Sequence, residues 1–135
     1  MIFTIKIGKE KYQMADNMNG LKRTHYCGEV DGIGSEVVVG GYVQKVRDLG
    51  NLIFIDLRDR TGIVQLAFND NTARDIFEKA ASCRAEFVLM AKGTVDERSS
   101  KNPDLKTGNI EITVTDLRIL AKAQTPPFEI QNETR

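Results

Sequence analysis

From Val37 onward strand signals come in quick succession, with stretches in which apolar and polar positions alternate every second residue, the period of a half-buried β-strand. "EVVVGGYVQKVRD" (36–48) is rich in β-branched residues and broken by Gly40-Gly41, which predicts a strand coiled or bulged at the glycines. "NLIFIDLRDRTGIVQLAF" (51–68) reads as two strands, 51–58 and 62–68, joined by "DRTG", whose Gly62 suits a hairpin turn. Residues 72–84, "TARDIFEKAASCR", switch to a helical period. Ile76, Phe77, Ala80 and Ala81 share a face there, with Thr72 as N-cap and Asp75 completing a capping-box pattern. "EFVLMAKGTV" and "IEITVTDLRILAKA" return to strand on either side of the polar loop "DERSSKNPDLKTGN".

Three strands, a helix and two strands is the order of an all-β, five-stranded OB-fold barrel with its helix between strands 3 and 4. A five-stranded α+β sheet in the same order is the alternative. The glycine pair favours the barrel, because closing five strands demands sharp coiling. The barrel domain is expected over 22–123. Residues 1–21 carry the further methionines Met14 and Met18 and read as a mobile leader. The rival reading there is a short extra strand, since Ile5 and Ile7 alternate with lysine and glycine. Residues 124–135, "QTPPFEIQNETR", hold a double proline and no periodicity, and read as a linker.

Composition changes this picture little. The 135 residues are 41% hydrophobic and 28% charged, ordinary for one globular domain. Lys+Arg and Asp+Glu both number 19. That balance argues against a non-specific nucleic-acid binder, which carries a basic excess, yet leaves room for a local basic groove. Cys27 and Cys83 are isolated and His25 is the single histidine, so no zinc cage is expected and no metal site is assigned. The cysteines read as small core or surface residues in a reduced, cytoplasmic chain, and His25 as a structural residue. No run of about eighteen apolar residues suggests a membrane span. "MIFTIKIG" lacks the features of a signal peptide.

Counting faces raises the one chemical question. Ile53, Ile55 and Leu57 form one set on their strand, which leaves Phe54 on the other face with Asp56 and Arg58. On the next strand Val64, Leu66 and Phe68 are the core set, opposite Ile63, Gln65 and Ala67. On the last, Glu111 and Thr113 point away from Ile110 and Ile112. Phe54, Gln65 and Glu111 are thus expected on one exposed face, with Lys45 and Arg47 at its rim. Single-stranded RNA recognition requires such parts: an aromatic platform, an amide and a carboxylate for base edges, and cations for phosphates. The alternation itself leaves open that Phe54 only covers a sheet face under a loop.

"RTHYCGEV" (23–30), "VRDLGNLIFIDLRDRTGIVQ" (46–65), "KGTV" and "TGNIEI" (107–112) together resemble the N-terminal anticodon-binding domain of bacterial aspartyl-tRNA synthetases, over about residues 22–130. The resemblance implies an OB-fold that splays out the anticodon bases of aspartate tRNA, of GUC type. Phe54 would stack on the central uracil, and Gln65 and Arg47 would contact bases or backbone. Glu111 would read the first base, G or its queuosine derivative, while Arg98 and Asn102 would hold the third, C. Lys45 would be a weaker phosphate contact. It further implies no catalytic residue and no cofactor in this chain, with ATP and Mg2+ serving a separate catalytic domain of a homodimeric parent enzyme. An excised module is the main expectation; a stand-alone OB-fold protein for RNA or single-stranded DNA is the alternative.

The chain also departs from that family. Tyr42 stands where tryptophan is usual, and the arginine run before "RDLG" is reduced to "QKVR". Ala67 replaces an aromatic, and Asp96 stands where a basic residue is common. The loop 99–106 is about two residues short.

Overall fold

The structure, a computed structural model, describes residues 2–7, 11–17, 21–122 and 129–131, the first two stretches and the last as backbone only. The strands are β1 (Ile2–Ile7), β2 (Lys11–Asn17), β3 (Glu36–Asp48), β4 (Ile53–Asp59), β5 (Gly62–Phe68), β6 (Val88–Glu97), β7 (Ile110–Ala121) and β8 (Glu129–Gln131). One α-helix, α1 (Arg74–Ala81), lies between β5 and β6, and a 3-10 turn spans Cys27–Glu29.

β3 to β7 close into a barrel in the order β3-β4-β5-β7-β6. All neighbours are antiparallel except β5 and β7, which run parallel. This is the expected five-stranded barrel with its helix after the third barrel strand. The alternation explains the closure: Ile53, Ile55, Leu57, Val64, Leu66, Phe68 and Ile112 are all fully buried inside. Burial of such side chains is worth roughly 1.5–3 kcal/mol each, which makes this set the main source of barrel stability.

The glycine pair does what a barrel strand needs, though not by a bulge. Gly40 and Gly41 stay in register with Met90 and Leu89 of β6. At Gly41 the strand passes so close to β4 that a Cβ would lie 2.3 Å from the Arg58 carbonyl oxygen. Tyr42 then pairs with both Val88 and Arg58, so this is where β3 hands over from one neighbour to the other. The register shift falls three residues later, between Val43 and Lys45. Gln44 is therefore the extra residue, correcting the expectation of a bulge at the glycines.

α1 is shorter than the pattern suggested, and its cap differs. The Thr72 hydroxyl accepts from the Asn69 N–H at 2.9 Å instead of capping the helix, and the residue before Arg74 makes no side-chain cap. Ile76 and Ala80 enter the core cluster with Phe77 packed against it, whereas Ala81 faces solvent. Cys83, just past the helix, takes the inward place. Burial pushes its thiol up to about 12 and drives Cys27 higher still, so neither is a nucleophile at neutral pH.

"RTHYCGE" acquires a structural purpose. The Cys27 N–H donates to Asp59 Oδ2 at 2.8 Å, and the Gly28 N–H donates to Thr61 Oγ1 at 2.8 Å. The Thr61 N–H and hydroxyl both donate to Asp59 Oδ1, at 2.8 and 2.6 Å. One carboxylate thus joins the 3-10 turn to the β4–β5 hairpin. Burial works to raise the Asp59 carboxyl, but its hydrogen bonds from Thr61 and Cys27 together hold it below the usual carboxylate range. A depressed carboxyl stabilises the fold above its unfolded value and loses that contribution as pH falls through the folded value. Asp59→Asn replaces the Oδ2 acceptor by an amide and leaves the buried Cys27 N–H unmatched. We expect it to cost about 1–3 kcal/mol at neutral pH and to flatten the acid limb of stability. Urea melts from neutral pH to about pH 3 check both.

The flanks pair with each other. β1 pairs antiparallel with β2 and with β8, giving a three-stranded sheet in the order β2-β1-β8. Where sequence weighed a leader against a strand, the backbone at 2–7 and 11–17 is extended and paired. Residues 129–131, inside the expected linker, pair as well. β2 lies beside β7. Leu21, Val38, Met90 and Leu120 form a second small buried cluster on the barrel's outer side.

Candidate nucleic-acid interface

Register places the candidate residues in two rows across the sheet. One row runs Arg47, Phe54, Ala67, Thr113 and Thr94 on β3, β4, β5, β7 and β6. The next runs Lys45, Asp56, Gln65, Glu111 and Asp96 on the same strands. The bulge at Gln44 makes this possible. It resets the alternation so that Val43 and Val46 face inward while Lys45 and Arg47 join the polar face.

The side chains interlock. Arg47 Nη2 donates to Gln65 Oε1 at 2.7 Å, and Gln65 Nε2 donates to Glu111 Oε1 at 2.9 Å. The Arg47 guanidinium also stands 5.0 Å from the centre of the Phe54 ring, within cation–π range. The Thr113 hydroxyl donates to Asp96. The result differs from the open face expected from alternation. Gln65 is only 5% exposed, and Phe54 and Glu111 are half-buried. Arg47 covers one side of this floor, and the loop after β6 closes the other.

That loop is tied down at several points. The Arg98 N–H donates to the Asn109 carbonyl at 2.9 Å, and the Thr107 hydroxyl donates to the Ile63 carbonyl. Asn102 works locally: its Oδ1 accepts from the Asp104 N–H at 3.0 Å, and its own N–H donates to the Gly108 carbonyl at 2.9 Å. Arg98 is 8% exposed, and its buried Nε has no hydrogen-bond partner. Burial pushes the Glu111 carboxyl above its ordinary range, and Asp96 adds to that; the Gln65 hydrogen bond and the Arg98 charge pull it back. Lys45 is exposed beside the floor.

The structure therefore brings Phe54, Gln65, Arg47 and Glu111 together, with Arg98 acting on Glu111 from the adjoining loop. Asn102 is placed in that loop without a contact to the network. Sequence reasoning put Thr113 on the polar face without giving it a role in the site, and did not place Asp96 there. With Val95 buried, counting one residue on would have placed Asp96 on the polar face. At the far end of the hairpin, the Arg23 and Arg60 guanidiniums stand 4.4 and 4.9 Å from the centre of the Tyr26 ring. Among the described residues, no group of three or more His, Cys, Asp or Glu is arranged to hold a metal ion. No helix there is long and apolar enough to cross a membrane.

Comparison with known proteins agrees with this geometry. Residues 37–120 match the tRNA anticodon family, described as an OB-fold nucleic acid binding domain. The chain is 50% identical over 126 residues to the aspartate–tRNA ligase of Agathobacter rectalis, covering 90% of this chain and 21% of that protein. It thus spans about a fifth of the length of the curated relatives it matches. Among solved structures, an asparaginyl-tRNA synthetase from Pyrococcus horikoshii is similar at 31% identity and a TM-score of 0.61, over 76% of this chain and 24% of that one. An OBody bound to hen egg-white lysozyme reaches 31% identity and a TM-score of 0.68, over 77% of this chain and all of that one. The barrel, its polar floor and the match over 37–120 lead to one conclusion: the chain belongs to the tRNA anticodon family of OB-fold nucleic acid binding domains.

Proposed function

We propose that this chain binds the anticodon loop of tRNA as the recognition module of an aspartate–tRNA ligase. The observation that carries the reading is the half-buried Phe54 ring set in a row with Arg47, beside the hydrogen-bonded Gln65–Glu111 pair. A ring held at this depth offers a base a stacking surface without the cost of ordering a mobile side chain. The kinship with aspartate–tRNA ligases supports the choice of RNA.

In this reading the central uracil stacks on Phe54. Arg47, which covers ring and amide in the free protein, moves its charge to the incoming base or its phosphate. Gln65 is held by Arg47 on one side and Glu111 on the other, so its amide is oriented before RNA arrives. Glu111 accepts from the first base, a guanine or its queuosine derivative. Arg98 and Asn102 hold the third base, C. Arg98 also stands by the first-base pocket, and its five donors allow it to serve both. Lys45 supplies a phosphate contact. Joining aspartate to tRNA, with the ATP and Mg2+ it requires, belongs to the part of the relatives that this chain does not span. A cytoplasmic setting agrees with the two free thiols.

Titration at fixed salt tests the proposal. A stem-loop with anticodon GUC should bind roughly tenfold or more tightly than one with a changed central base, the discrimination expected of one well-read base. Equal binding of the two loops overturns it. Equal binding of a matching DNA strand supports instead a general single-strand binder.

A further inference from the structure

Asp96 has no part in the reading above, yet it sits on the recognition floor. It pairs directly across from Glu111, and the Thr113 hydroxyl donates to its Oδ2. Like charges opposite one another weaken a sheet. Asp96 indeed adds to the burial that raises the Glu111 carboxyl. Arg98, two residues on from Asp96 and close enough for its charge to act on Glu111, is more than nine-tenths buried, with an Nε donor that nothing satisfies. Two facing acceptors and a buried donor without a partner form an incomplete hydrogen-bond set, which a ligand edge can complete.

The make-up of that set, one donor and two acceptors, selects the ligand. It offers one donor, from Arg98, whose charge acts on Glu111, and two neighbouring acceptors, from Glu111 and from Asp96 across from it. Along its Watson–Crick edge guanine presents the O6 acceptor and then the N1–H and 2-amino donors. Adenine, cytosine and uracil each present a single donor position on that edge, so each leaves one carboxylate desolvated and unmatched. We propose that Arg98, Asp96 and Glu111 form one guanine-reading pocket, in which Asp96 is the specificity-determining residue for the 2-amino group. The inference rests on the anticodon-loop reading and adds a residue to it. It also accounts for a carboxylate at a position where a cation would neutralise Glu111: a cation there would remove the second acceptor.

The test compares stem-loops carrying guanosine or inosine as the first anticodon base, which differ only in the 2-amino group. Wild-type protein should bind the guanosine loop about tenfold more tightly. Asp96→Asn turns one acceptor into a donor facing that group, and Asp96→Ala removes it. Both variants should bring the two loops within about twofold and leave the preference for the central base unchanged. A guanosine preference that survives both substitutions overturns the inference while leaving the anticodon reading intact. So does an equal loss for every loop, which would make Asp96 part of the scaffold. Wild-type protein that binds none of the loops overturns the anticodon reading itself. Circular dichroism melts confirm folding, since removing one of two facing carboxylates should not lower stability.

Discussion

Phe54→Ala is expected to weaken binding of a GUC stem-loop by about 1–3 kcal/mol, roughly 5- to 150-fold, while the barrel keeps most of its stability. The two effects separate because of where the ring lies. Phe54 is half-buried on the polar face, outside the core cluster that Ile53 and Ile55 enter from the same strand. Its clear partner is Arg47 at 5.0 Å, a cation–π contact worth about 0.5–1 kcal/mol at such a site. Truncation therefore removes a platform and the cation–π contact, leaves Arg47 its hydrogen bond to Gln65, and opens no cavity. Calorimetric titration beside a urea melt reads both quantities. Phe54→Trp, which keeps an aromatic face, should retain most of the affinity. Unchanged affinity in the alanine variant, or a loss matched by global unfolding, would sink the stacking role.

Gly28→Ala should produce a large loss of stability from a single methyl group, roughly 3–5 kcal/mol. A Cβ on Gly28 would lie 2.2 Å from the Thr61 carbonyl oxygen and 2.6 Å from its carbon. Those atoms belong to a hairpin turn already held by Asp59. Neither side can yield alone. Overpacking of this kind costs about 1–3 kcal/mol. Separating the turns would add the loss of the Gly28–Thr61 and Cys27–Asp59 hydrogen bonds, about 1 kcal/mol each. Gly34→Ala is the control. Its φ is +95°, but a Cβ there meets nothing within 4 Å, so it should cost only about 1–2 kcal/mol of backbone strain. Equal melting midpoints for the two variants would remove the close approach as the cause.

How much of the site was legible follows from what alternation encodes. Phe54, Gln65 and Glu111 were placed on one face by counting every second residue, and register confirms that they share it. Alternation says which side a residue faces, not what lies over that side. Gln65 was therefore expected to be open and is buried, because Arg47 and the Thr107 anchor of the loop are contributed from elsewhere in the chain. Thr72 shows the same limit in a helix. It has the right chemistry for a cap, but a nearer donor at Asn69 takes its hydroxyl.

What the sequence by itself determined is the succession of five strands with a helix after the third, and the inward set on those strands. Both follow from local periodicity, which needs no knowledge of partners. The motifs also reached as far as the tRNA anticodon family. Only the tertiary structure decided the bulge at Gln44 that turns Lys45 and Arg47 onto the polar face. It alone placed Asp96 against Glu111, and it alone fitted Gly28 against Thr61. The physical reason is common to all three. Register and close approach are relations between strands distant in sequence, fixed when the barrel closes.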